Sequence, residues 1–392
     1  MVHHRQRKLW LLPCFFLAGF LTFTILRIAT MPAEIERYYT FEAPGAVFDG
    51  IELNAGFGQW AVALNGTVIS SSAEESSSQP AASTAKMIMA LAVMKKKPFN
   101  PGETGEKITV TQDMYNLYSR YVAAGGSVTK VAVGEEISEY EALESALIAS
   151  SNNMADALAI WAFGSLEEYK NYASEMLDNL GMIDTIIGPD ASGFNTATVS
   201  TPEDLATIGK AVLSQPVLAE IVGKPSAEVP VAGLIENTNK LLGVNNIIGI
   251  KTGYVGNASG YCLVSGYKEG EEIITIAVMG APSRQASFDA TSALVEKAQT
   301  AIKARELVKA GEKIGYYETW WSGKTPITAR DDVNGIIITP ARTELFDDSD
   351  GNMILKIRTA GTQYTTPAIA EDFPKEPTLW QKFLHMFGWN AE

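Results

Sequence analysis

Ser83-Thr84-Ala85-Lys86 sets a hydroxyl and an amine three residues apart at the start of the apolar run Met87 to Met94. On a helix, positions three apart meet on one face. The amine can then take the serine proton and leave an oxygen able to attack a carbonyl. Imidazole is the usual base for a serine nucleophile, but the histidines are His3, His4 and His385, at the two ends of the chain. The residue types therefore point to acyl transfer of a serine–lysine kind. A serine at a helix start also has backbone N–H groups nearby to stabilise an oxyanion. Plain N-capping by Ser83 and a solvated Lys86 would explain the tetrad equally well, so it needs support from elsewhere.

The spacing S-x-x-K recurs at Ser127/Lys130 and Ser265/Lys268. Both lie in β-branched or alternating segments, where successive side chains change faces and the pair would point apart. Two other elements can join Ser83. Ser150-Ser151-Asn152 interrupts two helical patterns, Tyr140 to Ile148 and Met154 to Phe163. A competing register, Ser151-Asn152-Asn153, has the same S-x-N form, and an ordinary turn favours these residues too. Lys251-Thr252-Gly253 closes an apolar β-like run, Ile247 to Ile250. It offers a cation, a hydroxyl and a glycine that lets another group approach the backbone, which suits a substrate carboxylate. A strand-end turn is the plainer account of it.

Elements that must position these groups follow from pattern. Trp60 to Leu64 and Thr67-Val68-Ile69 form a hairpin across Asn65-Gly66. Met87 to Met94 is a buried helix ended by Lys95-Lys96-Lys97-Pro98. Thr201-Pro202 starts a helix, with Thr201 as N-cap. Gly260 to Tyr267 and Ile273 to Met279 are strands, and Phe288 to Val308 is helical. After Gly311 short β runs dominate, such as Gly335 to Ile338 and Met353 to Ile357. Leu379 to Trp389 lines Leu379, Trp380, Phe383, Leu384 and Phe387 along one helical stripe, suited to a membrane surface or to docking on the preceding domain.

The chain has 392 residues, 46% of them hydrophobic, enough for a large core and a second, smaller one. A net charge of −14 argues against nucleic acid as a partner. With two cysteines, Cys14 and Cys262, neither a disulfide framework nor a Cys/His metal site is indicated, and no cofactor is implied. Arg5, Arg7 and Lys8 precede the uncharged run Leu9 to Leu26, near the ~20 residues that span a bilayer. Glu34 and Glu36 follow it, which orients the N-terminus to the cytoplasm and the rest outside. A cleaved signal peptide is the rival, but no A-x-A site follows Arg27. A lipoprotein at Cys14 is disfavoured by Pro13.

The order Ser–Lys, S-x-N, K-T-G is the signature set of penicillin-binding proteins and class A β-lactamases. Together with Ala81 to Met87, Leu147 to Asn152, Pro189 to Asn195, Ser200 to Ala206, Asn237 to Leu242 and Gly249 to Tyr254, it resembles the D-alanyl-D-alanine carboxypeptidases of the low-molecular-mass penicillin-binding protein family (serine peptidase family S11). The likeness covers about residues 55 to 305 and, more loosely, the β-rich segment beyond.

The resemblance implies an α+β fold, an antiparallel sheet flanked by helices with a helical lobe, and a small sandwich-like C-terminal domain. The partition expected is an anchor over 1–30, a catalytic domain over 31–308, a β-rich domain over 309–372 and an amphipathic tail over 373–392. It implies peptidoglycan stem peptides ending in D-Ala-D-Ala as substrate and β-lactams as covalent inhibitors. Ser83 would be the nucleophile, Lys86 its base, and Ser150 the proton relay. Asn152, Lys251, Thr252, Gly253 and Tyr254 would bind substrate, with the N–H groups of Ser83 and Tyr254 as oxyanion hole. Lys86 must be neutral to act, so its pKa must be lowered by burial or by a second cation, and Lys251 could be that cation. Tyr254 stands where the family often has histidine, and Asn153 where aspartate is common. A β-lactamase would need an E-x-x-L-N glutamate, which the chain lacks. A D,D-endopeptidase and a non-catalytic peptidoglycan-binding scaffold are the other readings.

Overall fold

The alternation Trp60-Ala61-Val62-Ala63-Leu64 sends large side chains to one face of a strand and alanines to the other. All five are buried, so both faces must be covered. The computed structural model describes residues 3–389 apart from 46, 47, 49 and 73–75, and for residues 3–14 the backbone alone. In it the strand Gln59–Leu64 turns through Asn65-Gly66, at φ 50° and 85°, into Thr67–Ser71. On its other side stand Glu272–Ala281, Tyr261–Glu269 and Ile250–Tyr254. The result is a five-stranded antiparallel sheet with Ile250–Tyr254 on one edge.

The helices, in chain order, are α1 (His3–Ala29), α2 (Lys86–Lys96), α3 (Gln112–Ala123), α4 (Glu139–Leu147), α5 (Asn152–Phe163), α6 (Leu166–Asn179), α7 (Pro202–Ser214), α8 (Pro216–Val222), α9 (Gly256–Ser259), α10 (Arg284–Ala301) and α11 (Leu379–Met386). α10 covers one face of the sheet, packing Leu294, Val295 and Ala298 against Trp60, Val62 and Leu64. α7 lies on the alanine face, begun by the Thr201 cap and Pro202. The other core joins Ala63, Val264 and Ala277 of the sheet to α2, α4, α5, α6, α7 and α8. Every residue of α2 from Lys86 to Met94 is buried, so the helix is apolar all round rather than striped.

Several sequence expectations shift. Ser83 does not begin α2. It sits in a preceding 3₁₀ turn, Ala82–Ala85. The edge strand starts only at Ile250, so Lys251-Thr252-Gly253 lies inside it and not after it. The helix expected to reach Val308 stops at Ala301, and Arg305–Val308 pairs with Val333–Gly335, because Leu307 and Val308 are drawn into the C-terminal core. Gly335 to Ile338 is a strand only as far as Gly335. Beyond it, Ile336 and Ile338 pack into the core around α10 while Ile337 enters the C-terminal core, so this stretch wedges the two units together.

The C-terminal unit is a six-stranded antiparallel sheet ordered Glu36–Tyr39, Lys313–Thr319, Gly323–Ala329, Thr362–Ile369, Met353–Thr359, Arg342–Asp347. The 305–308/333–335 ribbon packs on it through Leu307, Val308 and Val333. This redraws the expected partition at residues 31 and 308: Glu36–Tyr39 and Phe41, assigned from sequence to the catalytic domain, belong to the C-terminal unit. A short strand's own sequence does not specify which sheet it joins. Glu272, at the end of a catalytic-sheet strand, accepts hydrogen bonds from Thr362 and from Tyr364 (2.7 Å). Gly361 comes so close to the Asn65-Gly66 hairpin that a Cβ would lie 2.5 Å from the Leu64 carbonyl oxygen.

α1 exposes Phe15, Phe16, Leu17, Phe20, Leu21, Phe23, Ile25 and Leu26. Among the described residues no single helix is long and apolar enough to cross a membrane, and the described apolar segment is Phe15–Ala29. The side chains of Arg5, Arg7, Lys8 and Cys14 lie outside the described residues. α11 docks by one side: His385 stacks on Trp320 and Gln381 Nε2 donates to the Trp321 carbonyl, while Leu379, Trp380 and Phe387 stay exposed.

Replacing Glu272 by alanine removes the acceptor that Thr362 and Tyr364 share. We expect a loss of about 1–2 kcal/mol and faster proteolysis between the two units, measured by urea unfolding and limited trypsin digestion. Unchanged digestion would show that the Ile336–Ile338 wedge alone holds them.

Candidate active site

The turn before α2 aims Ser83 out of the helix axis. Ala82 has φ 49°, a costly setting for a residue with a Cβ. What holds it there is the loop 190–195. Gly193 (φ 67°) packs on Ala82 so tightly that a Cβ would lie 2.0 Å from the Ala82 carbonyl oxygen. Neither this turn nor α2 takes a side-chain cap, so N-capping does not account for Ser83.

Lys86 is completely buried. Its Nζ lies 2.8 Å from Ser83 Oγ, 2.7 Å from Asn152 Oδ1 and 2.8 Å from the Ser192 carbonyl oxygen. An ammonium can donate to all three. A neutral amine has two protons, which the two carbonyl-type oxygens accept, and its lone pair is then left facing the Ser83 hydroxyl. Burial pushes the Lys86 pKa down to about 7, while Asp190 and Asp156 pull it up. Of the two causes open from sequence, burial or Lys251 as a second cation, burial leads, and the cation effect falls on Lys251, which the Lys86 charge lowers further.

Ser150 lies in the α4–α5 connection at φ 62°. Its Oγ accepts from Lys251 Nζ at 2.9 Å. Lys251 is buried, also donates to the Thr252 carbonyl, and is driven well below its usual range by burial and then by the Lys86 charge. The structure decides between the two S-x-N registers. Ser151 caps α5 and, with Asn153, binds the Thr129 backbone, both facing away from Ser83. Asn152 reaches Lys86, so Ser150-Ser151-Asn152 is the register that converges. Asn153 latches the 127–131 segment, and the Asn152 N–H donates to the Ser127 carbonyl.

Gly253 runs beside the Ser83 turn, where a Cβ would lie 3.2 Å from Ser83 N. Thr252 Oγ1 is 2.6 Å from Thr238 Oγ1. Ser83, Ser150, Thr252, Gly253 and Tyr254 line one pocket. Tyr254 is half-exposed at its lip, stacked on Tyr261 with ring centroids 4.1 Å apart. All eight residues singled out in the sequence are thus within this pocket or directly behind its wall.

Four groups escaped the sequence reading as site residues. Thr238 and Arg284 line the pocket, and Arg284 is its lining cation. Asp190 and Ser192 organise the loop that reaches Lys86. Thr238, Asp190 and Ser192 lay in segments already noted for their family likeness, a signal that gave them no role. Arg284, at the first residue of α10, carried no signal.

A helical lobe, an antiparallel sheet and a serine–lysine pair at their junction define a class, the serine–lysine enzymes of penicillin-binding-protein architecture. The family profile described as D-alanyl-D-alanine carboxypeptidase matches residues 61–283, more than half of the chain, and the chain belongs to that family of serine-type hydrolases. It is 24% identical over 243 residues to D-alanyl-D-alanine carboxypeptidase DacF of Bacillus subtilis (strain 168), covering 59% of this chain and 59% of that protein, so the match spans under two thirds of that relative. It is 28% identical over 232 residues to D-alanyl-D-alanine carboxypeptidase DacB2 of Mycobacterium tuberculosis (strain ATCC 25618 / H37Rv), covering 56% and 73%. The crystal structure of a peptidoglycan synthesis regulatory factor (PBP3) from Streptococcus pneumoniae has a TM-score of 0.65 at 17% identity, covering 81% of this chain and 99% of that one, and shows the shared fold.

Burying Lys86 has a pH signature. Its pKa is about 7 folded against a reference of 10.5. Below about 7 the folded state holds an unfavourable buried ammonium. Between the two values the unfolded chain binds more protons, so stability rises with pH across that window. Lys86→Met removes this penalty. Its melting temperature should exceed that of the unsubstituted protein most at and below pH ~7, and the gap should narrow toward pH ~10. A gap that widens would refute the buried-ammonium account.

Proposed function

We propose that this protein is a D-alanyl-D-alanine carboxypeptidase that trims peptidoglycan stem peptides through a Ser83 acyl-enzyme. One observation carries the reading: a fully buried Lys86 whose Nζ lies 2.8 Å from Ser83 Oγ, its pKa pushed down to about 7 by that burial. Lys86 takes the Ser83 proton as Oγ bonds to the penultimate carbonyl carbon. The negative charge formed on the carbonyl oxygen is held by the N–H groups of Ser83 and Tyr254. The C–N bond then breaks, and the proton passes by way of Ser150 to the amine of the departing D-alanine. Water attacks the ester, and Ser83 is restored as the shortened peptide leaves with a new carboxylate.

The terminal carboxylate of the substrate needs a cation and hydroxyls. The sequence assigned it to Lys251 and Thr252. Because Lys251 Nζ is buried on Ser150 and the Thr252 carbonyl, we assign the carboxylate to the Thr252 and Thr238 hydroxyls and to Arg284. Lys251 then acts on Ser150, holding its hydroxyl for proton transfer. Asn152 keeps Lys86 in place and meets the substrate amide. β-Lactams present a reactive amide beside a carboxylate and acylate the same serine. The exposed apolar side chains of α1 support a membrane anchor with the enzyme outside the cell, and those of α11 support contact with the same membrane.

Mass spectrometry after incubation with a penicillin should show one adduct on the protein, and none on Ser83→Ala or Lys86→Ala. An equal adduct on Ser83→Ala would sink the assignment. The purified enzyme should release one D-alanine from a pentapeptide ending in D-Ala-D-Ala. The base must be neutral, so acylation should rise with pH through about 7 and level off above it. A rate that is flat from pH ~5 to ~9 would count against Lys86 as base.

A further inference from the structure

α5 holds a carboxylate that the mechanism above does not use. Asp156 stands one helical turn beyond Asn152 and is fully buried. A buried carboxylate is costly unless its oxygens are satisfied, and these are. Oδ1 accepts from the Ala191 N–H at 3.0 Å. Oδ2 accepts from the Tyr121 hydroxyl at 2.7 Å and from the Arg120 guanidinium at 3.1 Å. Ala191 belongs to the 190–195 loop, which Asp190 ties to itself: Oδ1 accepts from the Ser192 N–H and hydroxyl, and Oδ2 from the Asn195 N–H. The Ser192 carbonyl of this loop receives one proton of Lys86. Asp156 thus touches no reacting atom, yet it grips the loop one residue before the carbonyl that directs the base.

We propose that Asp156 is a positioning residue for Lys86, fixing the 190–195 loop so that the Ser192 carbonyl and Asn152 hold the amine against Ser83. This rests on the reading of Lys86 as the base of acylation. The charged and titratable groups around the two are Lys251 from the edge strand, Asp190 from the loop, Arg120 and Tyr121 from α3, and Tyr169 from α6. Burial raises Asp156 to about 6, and Asp190 pushes it the same way, while Tyr121, the Ala191 N–H and Arg120 draw it down, so it becomes increasingly anionic as pH rises above about 6. Asp190 and Asp156 both favour the protonated amine, against burial.

The test is the second-order rate of acylation by a fluorescent penicillin between about pH 5 and 9, on the full chain, on Asp156→Asn and on Tyr121→Phe, with melting curves for each. Removing the charge lets Lys86 lose its proton more easily, so the acid limb of Asp156→Asn should move down by about half a pH unit or more. Tyr121→Phe keeps the charge but loosens the net. Its plateau rate should fall about threefold or more without a downward shift of the limb. A folded Asp156→Asn with an unmoved limb overturns the proposal. If that variant does not fold, Tyr121→Phe decides, and an unchanged plateau overturns it. Absence of any acylation in the unsubstituted protein would instead remove the base reading itself, and the proposal with it.

Discussion

An amine works as a base near neutral pH only if it is kept from water, and a dry amine must have every hydrogen-bonding group satisfied. That constraint on Lys86 organises the molecule. Its three partners come from three stretches: the turn holding Ser83, the first residue of α5, and the loop after Asp190. Each must arrive within about 0.5 Å of its place for the lone pair to face the hydroxyl. The buried stretch of α2 from Lys86 to Met94 supplies the dry surroundings and anchors the lysine at its base.

Close backbone approach is the second requirement, met where side chains are missing. Gly193 lets the loop press on the Ala82 carbonyl and hold the strained φ that turns Ser83 outward. Gly253 lets the edge strand lie beside the Ser83 N–H. Gly126 has the same role on the far side, where a Cβ would lie 2.6 Å from Asn152 Nδ2. A methyl group at Gly193 or Gly126 would displace a member of the site, while at Gly253 the Ser83 turn would have to give by a few tenths of an ångström.

The C-terminal unit meets the catalytic domain at the core around α10, at the Glu272 strand end and at the 65–66 hairpin. The isoleucines at 336–338 contribute to both cores, and Glu272 receives hydroxyls from the far unit. The pairing of Glu36–Tyr39 with Lys313–Thr319 ties the chain just after α1 to the same unit that carries α11. The two exposed apolar helices are thus both tied to the C-terminal unit.

By itself the sequence determined the chemistry and most of the elements. Two lysines, two serines and an asparagine in a fixed order, with no histidine between the chain ends, leave serine–lysine acyl transfer as the reading. The Asn65-Gly66 hairpin, the Thr201-Pro202 helix start and the buried α2 were legible because each rests on local rules of turn geometry, capping and apolar pattern. What rests on contacts between distant residues was not. The residues alone left two S-x-N registers open and the family likeness took Ser150-Ser151-Asn152; only tertiary structure gives the reason, with Asn152 on Lys86 and Ser150 on Lys251. It ended α10 at Ala301 by drawing Leu307 and Val308 into another core, and it gave the lead-in strand to the C-terminal sheet. It also decided between the two causes open for a lowered Lys86 pKa, burial and a second cation, in favour of burial. Burial is a property of the whole fold, because the groups that exclude water from one amine lie more than a hundred positions apart in the chain.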